Sequence, residues 1–319
     1  MTTHKQLLNK SSYFFIIFFC FFIHHLAIAR SAVTYTFSGG RFGDNLLSYT
    51  RAKYISCLYD IPLLYIPFPY SDHLMMHEHE IHWSQEKSSE FKGIVSYKEV
   101  KGKIDPDADL LYVIPFFPES VYERNCPRNP YLFDVDWGNS VFRKELQIMI
   151  KPICPLNLLE LPSDCVTVAV HVRVGTGFDL LSGQTYDDMI KWQPLKWPPL
   201  SFYSDSLLKI AELFPNQRIY VYVFTDHDNP LEIAQYFQEI VNNDQITFDC
   251  RMHGNKHNVN VLEDFFSLMQ FDCLIRSDSH FSIMAEKIVD YMVLLAPWHA
   301  SLINGEIVID EIVFKQLQG

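Results

Sequence analysis

Residues Val166–Asp179 constrain the fold of this chain more than any other stretch. The stretch opens with five β-branched or small apolar residues, which is typical of a strand covered on both faces, as in a parallel α/β sheet. His171 and Arg173 follow at the predicted carboxyl end of this strand. Gly175 comes next and frees the backbone for a tight turn and a close approach to a ligand. The stretch therefore predicts an α/β fold and marks one edge of its sheet.

Arg173 has the chemistry of a phosphate-binding residue at this edge. In open α/β sheets, ligands bind at the carboxyl ends of the strands. The guanidinium group presents a planar fork of donors that suits phosphate oxygens. The order strand, arginine, glycine therefore indicates a diphosphate site. The alternative is a buried strand that ends in a surface arginine and an ordinary glycine turn.

Two further predicted strands also end in polar residues. The strand Ile219–Thr225 ends at Thr225 and Asp226, and the strand Cys273–Ile275 is followed by Ser277–Ser282. Because parallel strands share their carboxyl edge, we expect all three ends to lie together. Ser279 would also open a helix, where backbone N–H groups and the helix dipole favour an anion. These features predict a nucleotide-diphosphate pocket that requires no metal, although Ser277–Ser282 alone would also fit an ordinary helix N-cap.

The order of predicted elements indicates two α/β domains. A strand at Val33–Phe37, a glycine-rich turn and a helix open the chain, and strands alternate with helices in its second half up to a last strand at Val293–Ala296. This alternation predicts a mostly parallel sheet with helices on both faces. The chain has 319 residues and is 48% hydrophobic, which suits two domains. Prolines before residue 166 place the boundary between an N-terminal domain, 30–160, and a C-terminal domain, 161–319.

Residues 1–29 have the pattern of an export signal. Two lysines precede an apolar run, Phe14–Phe22, and Ala27–Ala29 has the small-x-small form of a cleavage site. Cleavage after Ala29 is favoured because the run is short and two histidines follow it. An uncleaved anchor, with membrane association through residues 13–28, stays open. The expected location is secreted, periplasmic, in a Golgi-like lumen, or attached to a membrane.

Composition excludes several classes of partner. The net charge is −12 and there is no block of basic residues, so we expect no nucleic-acid partner. The histidines at 73, 77, 79 and 82 do not form an H-E-x-x-H motif, and we expect a solvated loop there rather than a metal site. Six cysteines follow the signal without a C-x-x-C spacing, which argues against structural zinc and permits disulfides whose pairing is open.

Four segments resemble the motifs of inverting fucosyltransferases that share an HxRxG motif. Gly40–Asn45 is similar to their first motif, usually Gly-Arg-(Leu/Phe)-Gly-Asn-Gln, and His171–Gly175 matches HxRxG itself. Tyr222–Asp226 is similar to their strand that ends in Ser/Thr-Asp. Asp264–Ser282 resembles the last and most specific motif, D-L-x-x-M-x-x-C-x-x-x-I-x-S-x-S-S-F-S. The chain looks most similar to the alpha-1,2-fucosyltransferases of glycosyltransferase family 11, and more distantly to the alpha-1,6 and protein O-fucosyltransferases.

The resemblance implies a fold and an activity. The fold would be GT-B-like α/β, with two Rossmann-like domains of mostly parallel sheets facing a central cleft. Residues 30–160 would form the acceptor domain and residues 161–319 the nucleotide-sugar-binding domain. The enzyme would transfer fucose from GDP-fucose to a glycan hydroxyl with inversion, using neither a metal nor a cofactor. Its partners would be the nucleotide sugar and the glycan acceptor.

The resemblance also implies roles for individual residues. Arg173 would bind the pyrophosphate and stabilise the departing GDP, while Ser277 and Ser279 would help to hold the phosphates and nucleotide. Gly43 and Asn45 would form a lip near donor and acceptor. The expected substrate-binding residues are Gly40, Gly43, Asn45, His171, Gly175, Thr225, Asp226, Ser277, Ser279, Phe281 and Ser282.

Two departures from the family pattern leave the catalytic base open. Thr176 stands where the family usually has an aspartate after the HxRxG glycine, and Asp44 stands where an amide is expected. An inverting transfer needs a base for the acceptor hydroxyl, or an environment that stabilises an oxocarbenium-like state. Asp44 and Asp179 are candidates for the base, and Asp187 is a weaker one. The alternatives are a different nucleotide-sugar donor, or a non-catalytic relative that binds a glycan or nucleotide, which Thr176 favours.

Overall fold

The computed structural model of the chain describes residues 31–100, 103–116, 135–174, 184–252 and 258–317. As far as they are described, the residues form two compact units. The first consists of Met1–Ser38, Ser48–Pro67 and His77–Asp136, and the second of Gly39–Leu47, Phe68–Met76 and Trp137–Gly319. The predicted domain boundary between residues 160 and 161 stays a prediction.

The first unit contains two small parallel sheets. Its strands are β1 (Ala32–Tyr35), β2 (Leu64–Tyr65), β3 (Ile81–His82), β4 (Gly93–Ser96) and β5 (Leu110–Ile114). The order β1-β5-β4 forms one sheet and β2-β3 the other, with all neighbours parallel. The strand β2 begins after Pro62, which has no N–H group to donate to a ladder.

The second unit is built around one six-stranded sheet. Its strands are β6 (Val166–Val172), β7 (Ile219–Thr225), β8 (Ile246–Cys250), β9 (Cys273–Arg276), β10 (Val293–Ile303) and β11 (Glu306–Gln316). The order is β11-β10-β9-β6-β7-β8, and every pair is parallel except β10 with β11. The predicted α/β class with mostly parallel sheets is confirmed, and the GT-B-like arrangement around a cleft stays a prediction.

The described residues form nine α-helices, and the two shortest of them were not predicted. They are α1 (Phe42–Tyr59), α2 (Met75–His79), α3 (Gln85–Ser89), α4 (Ser140–Met149), α5 (Tyr186–Trp192), α6 (Leu200–Leu213), α7 (Pro230–Val241), α8 (Val261–Leu268) and α9 (His280–Ile288). The pattern of apolar residues did not indicate α5. Its start is nevertheless encoded by a capping box, in which Thr185 and Asp188 exchange side-chain and backbone hydrogen bonds.

The strand β6 lies in the core of the second unit, which explains its apolar sequence. Every residue of β6 is buried, as the run of apolar residues predicts. Val168 and Val170 belong to a cluster with Leu207 and Ile210 of α6 and Phe237 of α7. Burying a side chain of this kind contributes roughly 1.5–3 kcal/mol. The central strand is thereby fixed, and with it the position of the residues that follow it.

The prediction that Val293–Ala296 ends the series of elements is wrong. The strand β10 continues to Ile303 and turns through Asn304 and Gly305 into β11. Both turn residues have positive φ, 52° and 89°, as the favoured two-residue hairpin turn requires. The Asn-Gly pair between two alternating runs is the sequence signal for this hairpin.

The histidine-rich segment is not the solvated loop that its polarity predicts. His77 lies in α2 and His82 in β3, and both are partly buried. The Nε2 atom of His82 lies 2.7 Å from the carbonyl oxygen of His77, and both rings contact Tyr65 edge-on. Within the described residues, no group of three or more His, Cys, Asp or Glu side chains is placed to hold a metal ion.

The predicted signal or anchor, residues 1–29, lies outside the described residues. None of the helices in the described ranges is long and apolar enough to cross a membrane. Free thiols are found at Cys57, Cys154, Cys165, Cys250 and Cys273.

Candidate functional site

Three strand ends carry the predicted site residues to one edge of the sheet of the second unit. The strand β6 lies between β7 and β9, and all three are parallel. Val172 of β6 is opposite Thr225 of β7, and His171 is opposite Arg276 of β9. Arg173, Asp226 and Ser277 are the next residues on these three strands. The register therefore places these three residues close together at the carboxyl edge of the sheet.

Asp226 orients Arg173. Its Oδ2 atom lies 3.4 Å from Nε of Arg173, and its Oδ1 atom accepts a hydrogen bond of 2.8 Å from the backbone N–H of Val174. Burial lowers the pKa of Arg173 and Asp226 opposes this shift. An arginine keeps its charge in proteins, so this is a nearly buried cation held at a fixed angle. Asp226 therefore holds both the backbone at Val174 and the side chain of Arg173, directly after β6.

A second cation, Lys196, lies close to Arg173. The Nζ atom of Lys196 is 4.5 Å from the ring centre of Trp197, and Cζ of Arg173 is 6.0 Å from the same centre. Burial and the charge of Arg173 lower the pKa of Lys196, while three nearby carboxylates oppose this shift. These carboxylates are Asp44, Asp278 and Asp226. Two cations on one aromatic ring form a site that suits an anion with more than one negative charge.

His171, the first residue of the HxRxG motif, is a buried neutral residue that positions its surroundings. Its Nδ1 atom lies 2.9 Å from Oγ of Ser282, and its ring lies 5.5 Å from the ring of Phe281. Burial lowers the pKa of His171 to about 4, with Arg276 adding to the shift and Asp226 opposing it. The histidine therefore links β6 to the first turn of α9.

We expect His171 to make the fold sensitive to acid. An unfolded histidine titrates near 6.5, so between that pH and about 4 the unfolded chain binds a proton that the folded chain does not. Stability should therefore fall as the pH is lowered through this range, by up to about 3 kcal/mol from this group alone. Urea unfolding at several pH values should show a weaker pH dependence for His171→Gln than for the wild type. The exposed His73→Gln serves as control, and equal pH dependence in all three proteins would contradict the expectation.

The residue after β9 is fixed by a buried ion network that the sequence did not reveal. Arg276 donates from Nη1 to the carbonyl oxygen of Ser277 at 3.1 Å and from Nε to Glu286 of α9 at 2.8 Å. Glu286 also accepts from Lys287 at 2.9 Å and from Lys315 of β11 at 2.8 Å. Arg276 was not among the predicted site residues, because its role depends on pairing with Glu286, ten residues away. The network holds the turn between β9 and α9.

The first glycine-rich motif contacts the start of α9. Asp44 accepts a 3.2 Å hydrogen bond from the backbone N–H of Arg41, and its Oδ1 atom lies 2.7 Å from Nδ1 of His280. Asn45 is buried and donates to the carbonyl oxygen of Gly40 at 3.5 Å. The motif and the turn after β9 therefore belong to one site.

Gly43 permits this contact because it has no side chain. A Cβ atom at this position would lie 2.4 Å from the backbone nitrogen of Phe281 and 2.6 Å from the carbonyl carbon of His280. Contacts this short would force the backbone of one of the two segments to move. The glycine of the motif is thus required by the close approach of two backbones.

We expect Gly43→Ala to push the backbone around Gly43 away from the start of α9. Overpacking of this kind costs about 1–3 kcal/mol, and the displaced Asp44 should lower the activity of the site as well. Thermal denaturation and ligand binding would measure both effects. Gly93→Ala is the matched control, because its Cβ would meet only a leucine side-chain atom at 3.3 Å. A Gly43 variant that is as stable and active as this control would show that the approach is unimportant.

The remaining predicted residues divide into three groups. Gly175 and Asp179 lie outside the described residues. The Thr225 hydroxyl accepts from the backbone N–H of His227 at 3.2 Å and stabilises the turn after β7. Ser277 and Ser279 are buried beside the start of α9, and Asp187 lies in the first turn of α5.

Comparison with known proteins gives similarity of structure but not of sequence. No protein-family model matches the chain, and no curated protein matches it. Among solved structures, POFUT1 in complex with GDP is similar with a TM-score of 0.45 and 10% identity, covering 82% of this chain and 94% of that one. NodZ alpha-1,6-fucosyltransferase soaked with GDP-fucose has a TM-score of 0.47 and 12% identity, covering 90% and 99%. An Arabidopsis thaliana FUT1 mutant in complex with GDP has a TM-score of 0.46 and 13% identity, covering 86% and 73%.

Proposed function

We propose that the protein is a glycosyltransferase that moves fucose from GDP-fucose to a glycan hydroxyl, with inversion and without a metal. The observation that carries the proposal is the pair of cations, Arg173 and Lys196, beside the start of α9 at the carboxyl edge of the sheet. This is where open α/β sheets bind ligands, and guanidinium and ammonium groups are donors that suit phosphate oxygens. The choice of GDP-fucose is supported by the resemblance of the four motifs to HxRxG fucosyltransferases.

In the proposed transfer reaction, these residues would stabilise the departing GDP. The acceptor oxygen forms a bond to the anomeric carbon of fucose while the bond from that carbon to the β-phosphate oxygen breaks. The electron pair leaves with GDP, so negative charge develops on the diphosphate. Arg173, held by Asp226, and Lys196 stabilise this charge where it develops, and the amino end of α9 adds its dipole. Ser277 and Ser279 shape the same pocket.

A non-catalytic relative that binds a nucleotide is the second candidate. Thr176 stands where the resembled family has an aspartate, and this departure favours it. A binder and an enzyme share the diphosphate pocket and differ in turnover. Another nucleotide-sugar donor in the same fold is the third reading, and donor specificity separates it from the first.

Residues 1–29 support a further part of the proposal. On this pattern we propose that the enzyme enters the secretory route or is attached to a membrane. The acceptor domain would be formed by residues 30–160. Attachment to a membrane would run through residues 13–28. Amino-terminal sequencing of the protein from its native cells distinguishes cleavage after Ala29 from an intact anchor.

Titration calorimetry with nucleotides tests the pocket. GDP should bind in the presence of EDTA, and GMP should bind far more weakly because it lacks the second phosphate. GDP-fucose should bind and GDP-mannose should bind less well. Equal binding of GMP and GDP would contradict a diphosphate site, and preference for another nucleotide would overturn the donor assignment.

A further inference from the structure

An aspartate and a histidine from two separate motifs form a pair in this site. Asp44 lies in the first turn of α1 and His280 is the first residue of α9. The two side chains contact each other, with 2.7 Å between Oδ1 of Asp44 and Nδ1 of His280. The contact joins a carboxylate to an imidazole, and a hydrogen bond at one ring nitrogen determines which form the other nitrogen takes.

The contact fixes which nitrogen of His280 is basic. A carboxylate only accepts hydrogen bonds, so Nδ1 carries the proton and the lone pair lies on Nε2. The carboxylate is itself held by the backbone N–H of Arg41 at 3.2 Å. The close approach of Gly43 to Phe281 holds the two backbones together. The side chains of His280 and Asp44 are 14% and 30% exposed, so both are accessible from solvent.

Charged groups around the pair belong to the proposed diphosphate site. The backbone N–H of Asp278, two residues before His280, donates to the carbonyl oxygen of Leu195 at 2.8 Å, and Lys196 is the next residue in the chain. The pair therefore lies beside the cations that would hold the leaving GDP. This is the neighbourhood in which an acceptor hydroxyl must lose its proton.

We propose that His280 is the general base of the reaction and that Asp44 is its positioning residue. The inference rests on the proposed function. As the acceptor oxygen bonds to the anomeric carbon, its proton moves to Nε2 of His280. The bond to the β-phosphate breaks and GDP leaves with the electron pair. The imidazolium that results is stabilised by the Asp44 carboxylate and returns its proton to water.

Kinetics of the full chain and its variants test this assignment. His280→Ala should lower kcat for transfer about 10²–10⁴-fold, the usual contribution of general-base catalysis, while GDP binding is unchanged. Asp44→Asn should reduce kcat less, since an amide oxygen still accepts from Nδ1. Because the two residues act together, Asp44→Asn in the His280→Ala background should cost little more than His280→Ala alone.

The pH profile separates catalysis from packing. The wild type should lose kcat/KM as pH falls, because a protonated His280 cannot accept a proton, and this acidic limb should be absent in His280→Ala. The matched control is His299→Ala, which breaks a second histidine–aspartate pair, also 2.7 Å long, in the hairpin β10–β11. It should keep both the wild-type rate and the acidic limb.

The outcomes separate the two proposals. If the wild type transfers fucose and His280→Ala keeps the rate or the acidic limb, the base assignment is overturned and the proposed function stands. Additive losses in the double variant would also overturn the pairing. If the wild type transfers no sugar, the proposed function fails and the role of His280 fails with it.

Discussion

Replacing Arg173 with alanine should lower kcat for GDP-fucose-dependent transfer by about 10²–10³-fold, the usual effect of removing one preorganised donor from a transition-state site. The side chain is 11% exposed and its Nε atom lies 3.4 Å from Oδ2 of Asp226, so its charge acts in a poorly solvated environment. Affinity for GDP should fall as well, because the same charge stabilises bound product. Initial rates and calorimetry on the same preparation measure both effects.

Two further variants test whether the effect is specific to the guanidinium group of Arg173. Arg173→Lys keeps the charge but loses the planar fork, and it should recover part of the rate. Arg218→Ala removes an exposed arginine that pairs with Asp164 at the opposite, amino-terminal edge of the sheet, and it should leave the rate unchanged. Wild-type activity in a folded Arg173→Ala variant would contradict the proposed pocket.

Replacing Glu286 with alanine should destabilise the fold by about 3–5 kcal/mol, because it leaves Arg276 buried without its counter-charge. Burial alone would raise the pKa of Glu286, but the surrounding cations outweigh burial and hold it well below the usual range. The carboxylate therefore contributes its full stability above the pKa of an unfolded glutamate, and the contribution is lost only as the pH falls towards the folded value. Urea unfolding at neutral pH measures the loss.

The controls for Glu286 separate charge from volume. Glu286→Gln keeps the shape and one acceptor oxygen, so it should be more stable than the alanine variant and less stable than the wild type. Glu212→Ala removes an exposed glutamate from α6 and should change stability by less than about 0.5 kcal/mol. An alanine variant at 286 that is as stable as this control would show that the network does not hold the turn after β9.

Much of the second unit is encoded locally and was therefore predictable. The apolar run of β6 matches a strand that is buried along its whole length. The polar residues after β7 and β9 follow from the rule that parallel strands share an edge. The hairpin β10–β11 also has a local signal, the Asn304–Gly305 turn, which lies beyond the alternation of strands and helices that predicts the sheet.

The parts of the site that the sequence left open depend on contacts between distant residues. Asp44 and His280 lie 236 positions apart, and nothing in either motif alone indicates their contact. Lys196 lies in the loop between α5 and α6, where no motif indicates a phosphate-binding role. Which side chains pair across the fold depends on how distant backbone segments pack. The pattern of a single segment does not contain this information.

The measurement that tests the central claim most directly is release of GDP by the full chain from GDP-fucose, in EDTA, with a panel of galactosides as acceptors. GDP-mannose serves as the control donor. We predict release that is specific for fucose and is stimulated by at least one acceptor, with the fucosylated glycan as the second product. Binding of GDP without turnover of either donor would contradict the proposed enzymatic activity. It would favour the non-catalytic relative.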